Sequence, residues 1–235
     1  MKILITGALG HIGSYIIRKL SIDFPNSKLI LVDNLMTQRY SSLFDLPKNL
    51  NYKFIEADVL DINLSNILKD VNYLIHLSAI TDATSSFEKS DKVENNNLNG
   101  TKRIALSCLE NKVKLIHISS TSVYGTKKKL VDENCSLEDL NPQSPYASTK
   151  LLEEDFITNL SKNEGLNSIS CRFGTIFGTS IGMRFHTAVN KFCWQAAMGL
   201  PITVWSTAYN QKRPYLDLND SYNSIIHIIK NDIFD

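Results

Sequence analysis

The stretch that decides the fold is Lys2-Ile3-Leu4-Ile5-Thr6 followed by Gly7-Ala8-Leu9-Gly10-His11-Ile12-Gly13. A short apolar run breaks into a glycine-rich turn and then into a helical pattern that continues to Leu20. Glycines suit such a turn because they accept unusual backbone angles and let the backbone approach a pyrophosphate, whose charge the helix N-terminus stabilises. The stretch therefore predicts a strand, a turn and a helix that bind a dinucleotide.

The next apolar run, Leu29-Ile30-Leu31-Val32, ends in Asp33, about 20 residues after the last glycine of the turn. A carboxylate at this position accepts hydrogen bonds from the adenosine ribose and repels a 2′-phosphate. NAD is therefore favoured over NADP, although Arg39 is close enough in sequence to leave NADP open. The alternative is a glycine-rich turn with a capping Asp, because the spacing Gly-x-x-Gly-x-x-Gly differs from Gly-x-Gly-x-x-Gly.

The composition indicates one large domain with a substantial core, since 43% of the 235 residues are hydrophobic and 21% are charged. A net charge of +1 gives no electrostatic footprint for nucleic acid or an anionic membrane. The basic run Lys127-Lys128-Lys129 is interpreted as a solvated loop.

The four cysteines form no Cys-x-x-Cys pair, which predicts reduced thiols, no metal site and a cytoplasmic protein. No apolar run approaches the roughly 18 residues of a membrane span, and the N-terminus enters a strand without a signal-peptide pattern.

Six short runs rich in Ile, Leu and Val predict strands, with helical patterns between most of them. They are Ile3 to Thr6, Leu29 to Val32, Tyr52 to Ala57, Val71 to Leu77, Val113 to Ile118 and Ser168 to Cys171. Strands that alternate with helices form a parallel sheet covered on both faces. We expect an α/β fold with a doubly wound parallel sheet of the Rossmann type.

From Arg184 onward the pattern changes to a helix from Ala188 to Met198, a short strand from Ile202 to Trp205 and a last helix that ends at Lys230. This predicts the start of a smaller lobe. We expect an NAD-binding domain over residues 1–180 and a partial, apparently shortened substrate lobe over residues 181–235.

Polar residues follow several predicted strands, at the sheet edge where doubly wound folds bind ligands. Asp58-Val59 could reach the adenine, and Leu77-Ser78-Ala79 would pass beneath the cofactor, although either could be a strand-ending turn. The polar cluster Asn95 to Asn99 opens a predicted helix. These Asn residues either cap that helix or bond to backbone or cofactor near the sheet edge.

Tyr146 and Lys150 lie four residues apart, so a helix places the phenol and the ammonium on one face. Tyr15/Lys19 and Tyr124/Lys128 have the same spacing, so spacing alone decides nothing. Position favours Tyr146, because Ser144-Pro145 is a good N-cap and first-turn pair downstream of the fifth strand. The alternative is a pair on a surface helix.

A tyrosine is a poor base at neutral pH, and a nearby ammonium together with an oxidised nicotinamide makes its phenol easier to ionise. Tyr146 could then take a proton from a hydroxyl group while a hydride leaves for NAD. Ser120, which follows the fifth predicted strand, would hydrogen-bond the same hydroxyl and position it. Ser120 alone could be a strand-end turn, but the three residues together, after a dinucleotide turn, favour catalysis.

With these motifs, the chain resembles the extended short-chain dehydrogenases/reductases, and most of all the nucleotide-sugar epimerases related to UDP-galactose 4-epimerase. The resemblance covers nearly the whole chain. Its segments are Thr6 to Gly13, Val32-Asp33-Asn34, Asp58-Val59, His76 to Ala79, Asn96 to Thr101, Ser119 to Gly125, Ser144 to Lys150 and Arg172 to Gly178. It implies an NAD-dependent epimerase of carbohydrate metabolism whose catalytic residues are Ser120, Tyr146 and Lys150.

The resemblance also implies the binding residues. Those around NAD are Gly7, Gly10, His11, Ile12, Gly13, Asp33, Asn34, Asp58, Val59, Leu77, Ser78, Ala79, Asn96, Tyr146, Lys150 and Phe173. Those around the nucleotide sugar are Thr81, Ser120, Thr175, Trp205 and Arg213, with the last three at the sugar, the base and the diphosphate. Resembling enzymes pair two helices into a four-helix bundle, so Asn96 to Leu109 and Tyr146 to Leu160 predict a homodimer.

Three departures from the family pattern narrow these expectations. Sugar 4,6-dehydratases carry an Asp-Glu pair after the catalytic hydroxyl residue, where this chain has Thr121-Ser122, so elimination of water is not expected. Thr175 replaces an Asn of many relatives, which leaves the sugar open. The chain stops at Asp235, before the second diphosphate-binding arginine of its relatives, so it is either truncated or completes its substrate site otherwise.

Two other functions stay open. One is a dehydrogenase or reductase that releases the keto product. The other is a cofactor-binding protein whose shortened lobe no longer admits a sugar.

Overall fold

A computed structural model of the chain describes residues 1–81, 90–125, 128, 130–206 and 209–234. Its strands are β1 (Lys2–Thr6), β2 (Lys28–Asp33), β3 (Asn51–Glu56), β4 (Tyr73–His76), β5 (Lys114–Ser120), β6 (Ser168–Phe173), β7 (Thr175–Phe177) and β8 (Tyr215–Asp217). Its α-helices are α1 (His11–Asp23), α2 (Leu64–Ile67), α3 (Ser90–Asn111), α4 (Pro145–Glu164), α5 (Ala188–Ala197) and α6 (Leu218–Asn231). Short 3-10 helices span Tyr40–Leu43, Thr121–Tyr124 and Leu137–Asp139.

Six strands form one parallel sheet in the order β3-β2-β1-β4-β5-β6. The order reverses between β1 and β4, so the carboxyl ends of these two strands border the crevice where a doubly wound sheet binds its ligand. The six predicted strands and the Rossmann-type fold are thereby confirmed. Strand ends differ from the predictions by one or two residues, because ladder pairing rather than apolarity alone decides where a strand stops.

The core lies on both faces of the sheet because successive residues of a strand point to opposite faces. Ile3 and Ile5 of β1 pack in a buried cluster with residues of α1 and α6, whereas Leu4 between them packs in a second cluster with residues of α3 and α4. All three side chains are fully buried. A sheet covered on both faces explains why its central strands are continuously apolar.

Helix α4 begins as its sequence predicts. Ser144 is the N-cap, and its hydroxyl accepts a hydrogen bond from the backbone N–H of Ala147 at 3.2 Å. Pro145 occupies the first turn, and Gly165 ends the helix in the left-handed conformation. These signals orient the helix that carries Tyr146 and Lys150.

The C-terminal elements pack on the large sheet's helices and on each other. Strands β7 and β8 pair in parallel as a separate two-stranded sheet. In α6, Tyr222 stacks edge-on against Tyr15 of α1 and donates to Asp23 at 2.6 Å. Helix α6 thus belongs to the same core cluster as β1. The boundary at residue 180 stays a prediction.

The strand predicted from Ile202 to Trp205 is wrong, because residues 201–205 have no regular structure. Ile202, Val204 and Trp205 are about half exposed or more. The alternating apolar pattern has no neighbouring strand to pair with in the described part of the chain, and an unpaired strand is not stable.

The Asn cluster does not start its helix either. Asn95 to Asn99 lie inside α3, which is already helical at Ser90, so the capping interpretation is wrong. In the basic run only Lys128 is described, and it pairs with Asp139 at 2.6 Å; Lys127 and Lys129 lie outside the described residues. None of the described helices is long and apolar enough to cross a membrane.

Candidate active site

The turn after β1 requires glycine at two positions. Gly7 has φ +63°, and a Cβ there would lie 2.8 Å from the backbone carbon of Leu77. A Cβ at Gly13 would lie 2.6 Å from the carbonyl oxygens of Gly7 and Ala8. These contacts leave no room for side chains, so α1 packs closely on the turn.

Asp33 at the end of β2 is held beside this turn. One carboxylate oxygen accepts from the N–H of Leu9 and the other from that of Leu35, each at 3.0 Å. Arg39 lies close enough for its charge to interact with that of Asp33, while burial lowers the pKa of its guanidinium. Two hydrogen bonds therefore fix the carboxylate of Asp33, and the guanidinium of Arg39 lies near it.

A small cavity of about 100 Å³ opens between the glycine turn and the ends of β2 to β4. Its lining includes ten residues predicted to bind the cofactor: Gly7, Gly10, Asp33, Asn34, Asp58, Val59, Leu77, Ser78, Ala79 and Asn96. Asn34 donates to Asp58 at 2.8 Å, which joins the edges of β2 and β3. The structure thus brings these ten residues, predicted for different parts of the cofactor, together around one cavity.

A larger cavity of about 490 Å³ lies beyond the carboxyl ends of β4, β5 and β6. The predicted residues that line it are His11, Ile12, Leu77, Ala79, Thr81, Ser120, Tyr146, Lys150, Phe173, Thr175 and Arg213. Leu77 and Ala79 line both cavities, so the two are neighbours. Trp205 does not line the larger cavity and is 73% exposed, and its contact with a base stays a prediction.

Ser120 ends β5 and caps the following 3-10 helix. Its hydroxyl oxygen accepts from the N–H of Ser122 at 3.2 Å and from the Ser122 hydroxyl at 2.9 Å. Ser120 therefore serves both as the strand-end cap and as a lining residue of the cavity. Tyr146 lies on the same cavity in the first turn of α4, with Lys150 one turn later.

A buried chain of polar groups continues from Lys150 away from the cavity. Its Nζ donates to Oε2 of Glu153 at 2.8 Å, and the same oxygen lies 2.7 Å from Nε2 of His117. Nδ1 of His117 lies 3.0 Å from the hydroxyl of Ser170. The side chains of His117 and Glu153 are fully buried, and that of Lys150 is 4% exposed.

The charges in this chain follow from burial and pairing. Burial lowers the pKa of His117, against the opposing hydrogen bond to Glu153. For Glu153, burial raises the pKa, but the charge of Lys150 and the hydrogen bond to His117 outweigh it and hold the pKa below its usual range. For Lys150, burial lowers the pKa, but the charges of Glu153 and Tyr146 outweigh it and raise the pKa. The imidazole of His117 is therefore neutral and contacts the buried ion pair of Glu153 and Lys150.

A second buried carboxylate, that of Glu154, lies next to Glu153 on α4. Glu154 accepts from Arg172, whose guanidinium also lies 4.9 Å from the centre of the Tyr124 ring, and from the hydroxyl of Ser119. His76 stands on β4 between Thr6 at 2.7 Å and Thr101 at 3.1 Å, and burial lowers its pKa to about 3. These groups brace the strand ends beneath the cavity.

Sequence reasoning missed several lining residues. Ser122, Arg184, His186 and Thr187 line the larger cavity, and Nη2 of Arg184 donates to the carbonyl of Thr81 at 3.4 Å. No local pattern marked them. Ser122 lies in the 3-10 helix after β5, and the fold brings the other three residues from the segment between β7 and α5. Glu153 could have been found, since it lies three residues after Lys150 on the same helical face.

The chain matches a family model over residues 3–233, that of the NAD dependent epimerase/dehydratase family. The chain belongs to this family. An uncharacterised UDP-glucose epimerase, YtcB of Bacillus subtilis strain 168, is 29% identical over 237 residues, which is 97% of this chain and 72% of that protein. A dTDP-D-glucose 4,6-dehydratase of Dictyostelium discoideum is 35% identical over 191 residues. That match covers 75% of this chain and only 44% of the dehydratase.

Two solved structures show the same architecture in this family. The UDP-glucuronic acid 4-epimerase of Bacillus cereus, in complex with UDP-glucuronic acid and NAD, superposes with TM-score 0.86 at 28% identity over 98% of this chain and 73% of that one. The UDP-N-acetylglucosamine 4-epimerase of Methanobrevibacter ruminantium M1 superposes with TM-score 0.88 at 26% identity, over 99% of this chain and 74% of that one. The resemblance predicted from the motifs is confirmed, and epimerases and dehydratases both occur among the relatives.

NAD is the cofactor of the family, and the residues of this chain fit it. The turn excludes a Cβ at Gly7 and at Gly13 and leads into the N-terminus of α1, the arrangement that a bound pyrophosphate requires. Asp33 presents a carboxylate at the small cavity, as an adenosine ribose requires. The larger cavity follows, lined by Tyr146 and Lys150, where a nicotinamide would meet a substrate.

Proposed function

We propose that this chain is an NAD-dependent epimerase that acts on a nucleotide-diphosphate sugar through transient oxidation to a keto sugar. The proposal rests on the chemical groups that line the larger cavity. The cavity presents a phenol, an ammonium and hydroxyl groups, and none of its described lining residues is an Asp or a Glu. A hydroxyl proton can be moved there, but a carboxyl group for eliminating water is missing from the described lining.

Thr121 and Ser122 support this choice over dehydration. They occupy the positions where sugar 4,6-dehydratases, by the resemblance above, carry an acidic pair. Thr121 donates to the carbonyl of Phe173 at 3.4 Å, and Ser122 donates to Ser120. Both hydroxyl groups are engaged in supporting the end of β5, and neither has the acidity that the loss of a hydroxide needs.

NAD, when bound, would supply the two-electron oxidant for the sugar carbon and, in its reduced form, the reductant for the keto sugar. Tyr146 takes the proton of the hydroxyl on that carbon through its phenolic oxygen and later returns a proton to the keto oxygen. Lys150 stabilises the phenolate by its charge and also binds the cofactor ribose. Ser120 donates a hydrogen bond to the same sugar oxygen and so positions it. Inversion requires the keto sugar to turn inside the cavity before hydride returns.

The substrate contacts are assigned on the same basis. Thr81 and Thr175 would contact the sugar at the larger cavity, Arg213 the diphosphate and Trp205 the base. Two of the relatives' complexes hold UDP-linked sugars, which favours a uridine diphosphate sugar. We assign residues 1–180 to the NAD-binding domain, whose strand ends also contribute Thr81, Ser120 and Thr175 to the sugar site, and residues 181–235 to a partial substrate lobe packed on it.

Purified protein incubated with NAD and a panel of UDP- and dTDP-linked sugars tests the proposal. We expect a pair of epimers to approach equilibrium in the NMR spectrum, with no net change in absorbance at the wavelength of reduced cofactor. A steady rise in that absorbance would instead indicate a dehydrogenase, and a 4-keto-6-deoxy sugar would indicate a dehydratase. No conversion of any sugar, with NAD bound, would favour a cofactor-binding protein.

A further inference from the structure

The carboxylate of Glu153 is placed in a way that packing alone does not explain. One of its oxygens, Oε2, takes hydrogen bonds from both Lys150 and His117. The other, Oε1, is buried and has no hydrogen-bond partner among the described residues. A buried carboxylate with an unpaired oxygen is costly, and a buried ion pair adds little or nothing to stability compared with apolar residues of the same volume.

His117 makes this carboxylate a fixed acceptor. An ionised carboxylate can only accept, so Nε2 of His117 carries the proton and donates to Glu153, while Nδ1 accepts from the hydroxyl of Ser170. Glu153 also lies in the third turn of α4, three residues after Lys150. Its position is therefore set from two elements, β5 and α4.

The groups that face Lys150 come from three elements. On α4 they are Tyr146, Glu153 and Glu154, on β5 His117, and on β4 His76. Glu153 is the one that hydrogen-bonds to the ammonium among the described residues. Lysine has three N–H donors, so two remain for groups in the cavity that Lys150 lines.

We propose that Glu153 is a positioning residue that, held by His117, keeps the ammonium of Lys150 charged and in place beside Tyr146. The inference rests on the proposed function, in which Lys150 serves the cofactor ribose and the tyrosine. Burial disfavours the charged form of a lysine. Without Glu153, the ammonium of Lys150 would therefore lose its proton between neutral and alkaline pH. Failure of the Glu153 proposal can be distinguished from failure of the proposed function, because the test below needs no sugar substrate.

The test is an NMR titration of the protein labelled with ¹³C at the ε-carbon of lysine. The signal of Lys150 is assigned by its absence in Lys150→Met. In wild type we expect Lys150 to titrate above about pH 10.4, the ordinary value of a lysine side chain. If it titrates below that pH, Glu153 does not hold its charge and the proposal is overturned. This measurement needs no variant at Glu153 and stands even if such variants do not fold.

Glu153→Gln keeps the shape of the side chain and removes the charge. We expect the titration of Lys150 to shift to lower pH in this variant. Asp155→Asn is the matched control, because it removes the same charge from an exposed position of α4 and should leave the titration unchanged. Equal titration curves for wild type and a folded Glu153→Gln variant would overturn the proposal.

NAD binding supplies a readout that a purely structural role would not move. In Glu153→Gln we expect the dissociation constant for NAD to rise roughly tenfold from neutral to alkaline pH, because Lys150 loses its charge and with it a charged hydrogen bond to the ribose. In wild type and Asp155→Asn it should stay constant over that range. A pH-independent loss of affinity in Glu153→Gln would show a structural defect and overturn the positioning role.

Discussion

The side-chain amide of Asn97 bonds both backbone polar groups of Ile80. Its Oδ1 accepts from the N–H at 2.8 Å, and its Nδ2 donates to the carbonyl at 3.0 Å. Asn97 is 1% exposed and lies in the interior of α3. It thereby ties the helix to the segment after β4, in which Ala79 and Thr81 line the larger cavity.

Replacing Asn97 with Leu should therefore cost stability. Two partly buried backbone groups of Ile80 lose their hydrogen bonds, which contribute about 0.5 to 1.5 kcal/mol each, so we expect the free energy of unfolding to fall by about 1 to 3 kcal/mol. Denaturant unfolding measures this. Asn99→Leu is the matched control on an exposed face of the same helix. If both variants lose the same small amount, the amide of Asn97 does not clamp Ile80.

Asp33 should make the protein bind NAD more tightly than NADP. Its carboxylate is fixed by two N–H groups and meets a 2′-phosphate with like charge, whereas Arg39 offsets only part of that charge. Asp33→Asn should narrow the ratio of the two dissociation constants by roughly tenfold, on the scale of one charged contact. Titration calorimetry measures both ligands, with exposed Asp61→Asn as the control. Equal or stronger NADP binding in wild type would contradict the role of Asp33.

Arg213 is expected to bind the diphosphate of the substrate. It lines the larger cavity, and in the described part of the chain it pairs with neither Asp217 nor Asp220. Charge-assisted contacts contribute about 1.5 to 3 kcal/mol, so Arg213→Ala should weaken nucleotide-sugar binding by roughly 10- to 100-fold and leave NAD binding unchanged. Lys212→Ala removes a neighbouring exposed charge and is the control. Equal affinity of Arg213→Ala and wild type for a panel of nucleoside diphosphates places Arg213 outside the site.

We predict a homodimer through α3 and α4. The two helices pack on each other, yet Leu106 and Leu152 remain 42% and 46% exposed. Burying such apolar area drives association. Light scattering at micromolar concentration should give twice the mass of the chain, and Leu106→Glu with Leu152→Glu should give the monomer. Leu130→Glu, at a loop position that is 89% exposed, should remain dimeric. A monomeric wild type would refute the dimer.

The sequence predicts the elements whose signals are local. The turn at Gly7, the carboxylate of Asp33 and the cap at Ser144 are each specified by neighbouring residues, and the structure has them where the patterns indicate. The same locality explains why the helix of Tyr146 is found correctly.

The remaining errors come from contacts between segments that are far apart in the chain. Ile202 to Trp205 has a strand's composition, but a strand also needs a partner. The sequence does not single out Asn97 from the polar cluster, because only the fold shows that it meets Ile80, while Asn96 lines the small cavity. Arg184 reaches the cavity because residues 178–182 fold back on His11 and Ser14.

The turnover of Tyr146→Phe tests the proposed chemistry most directly, once a converted nucleotide sugar has been found. We expect turnover to fall by roughly 100-fold or more, the scale of a lost proton-transfer group, with the NAD dissociation constant near wild type. Tyr15→Phe is the matched control, because Tyr15 and Lys19 have the same spacing but Tyr15 bonds Asn219 at 3.0 Å, outside the larger cavity. Its turnover should equal that of wild type. Most of the turnover surviving in Tyr146→Phe would contradict the assignment of Tyr146 as the base, and with it the proposed epimerase mechanism.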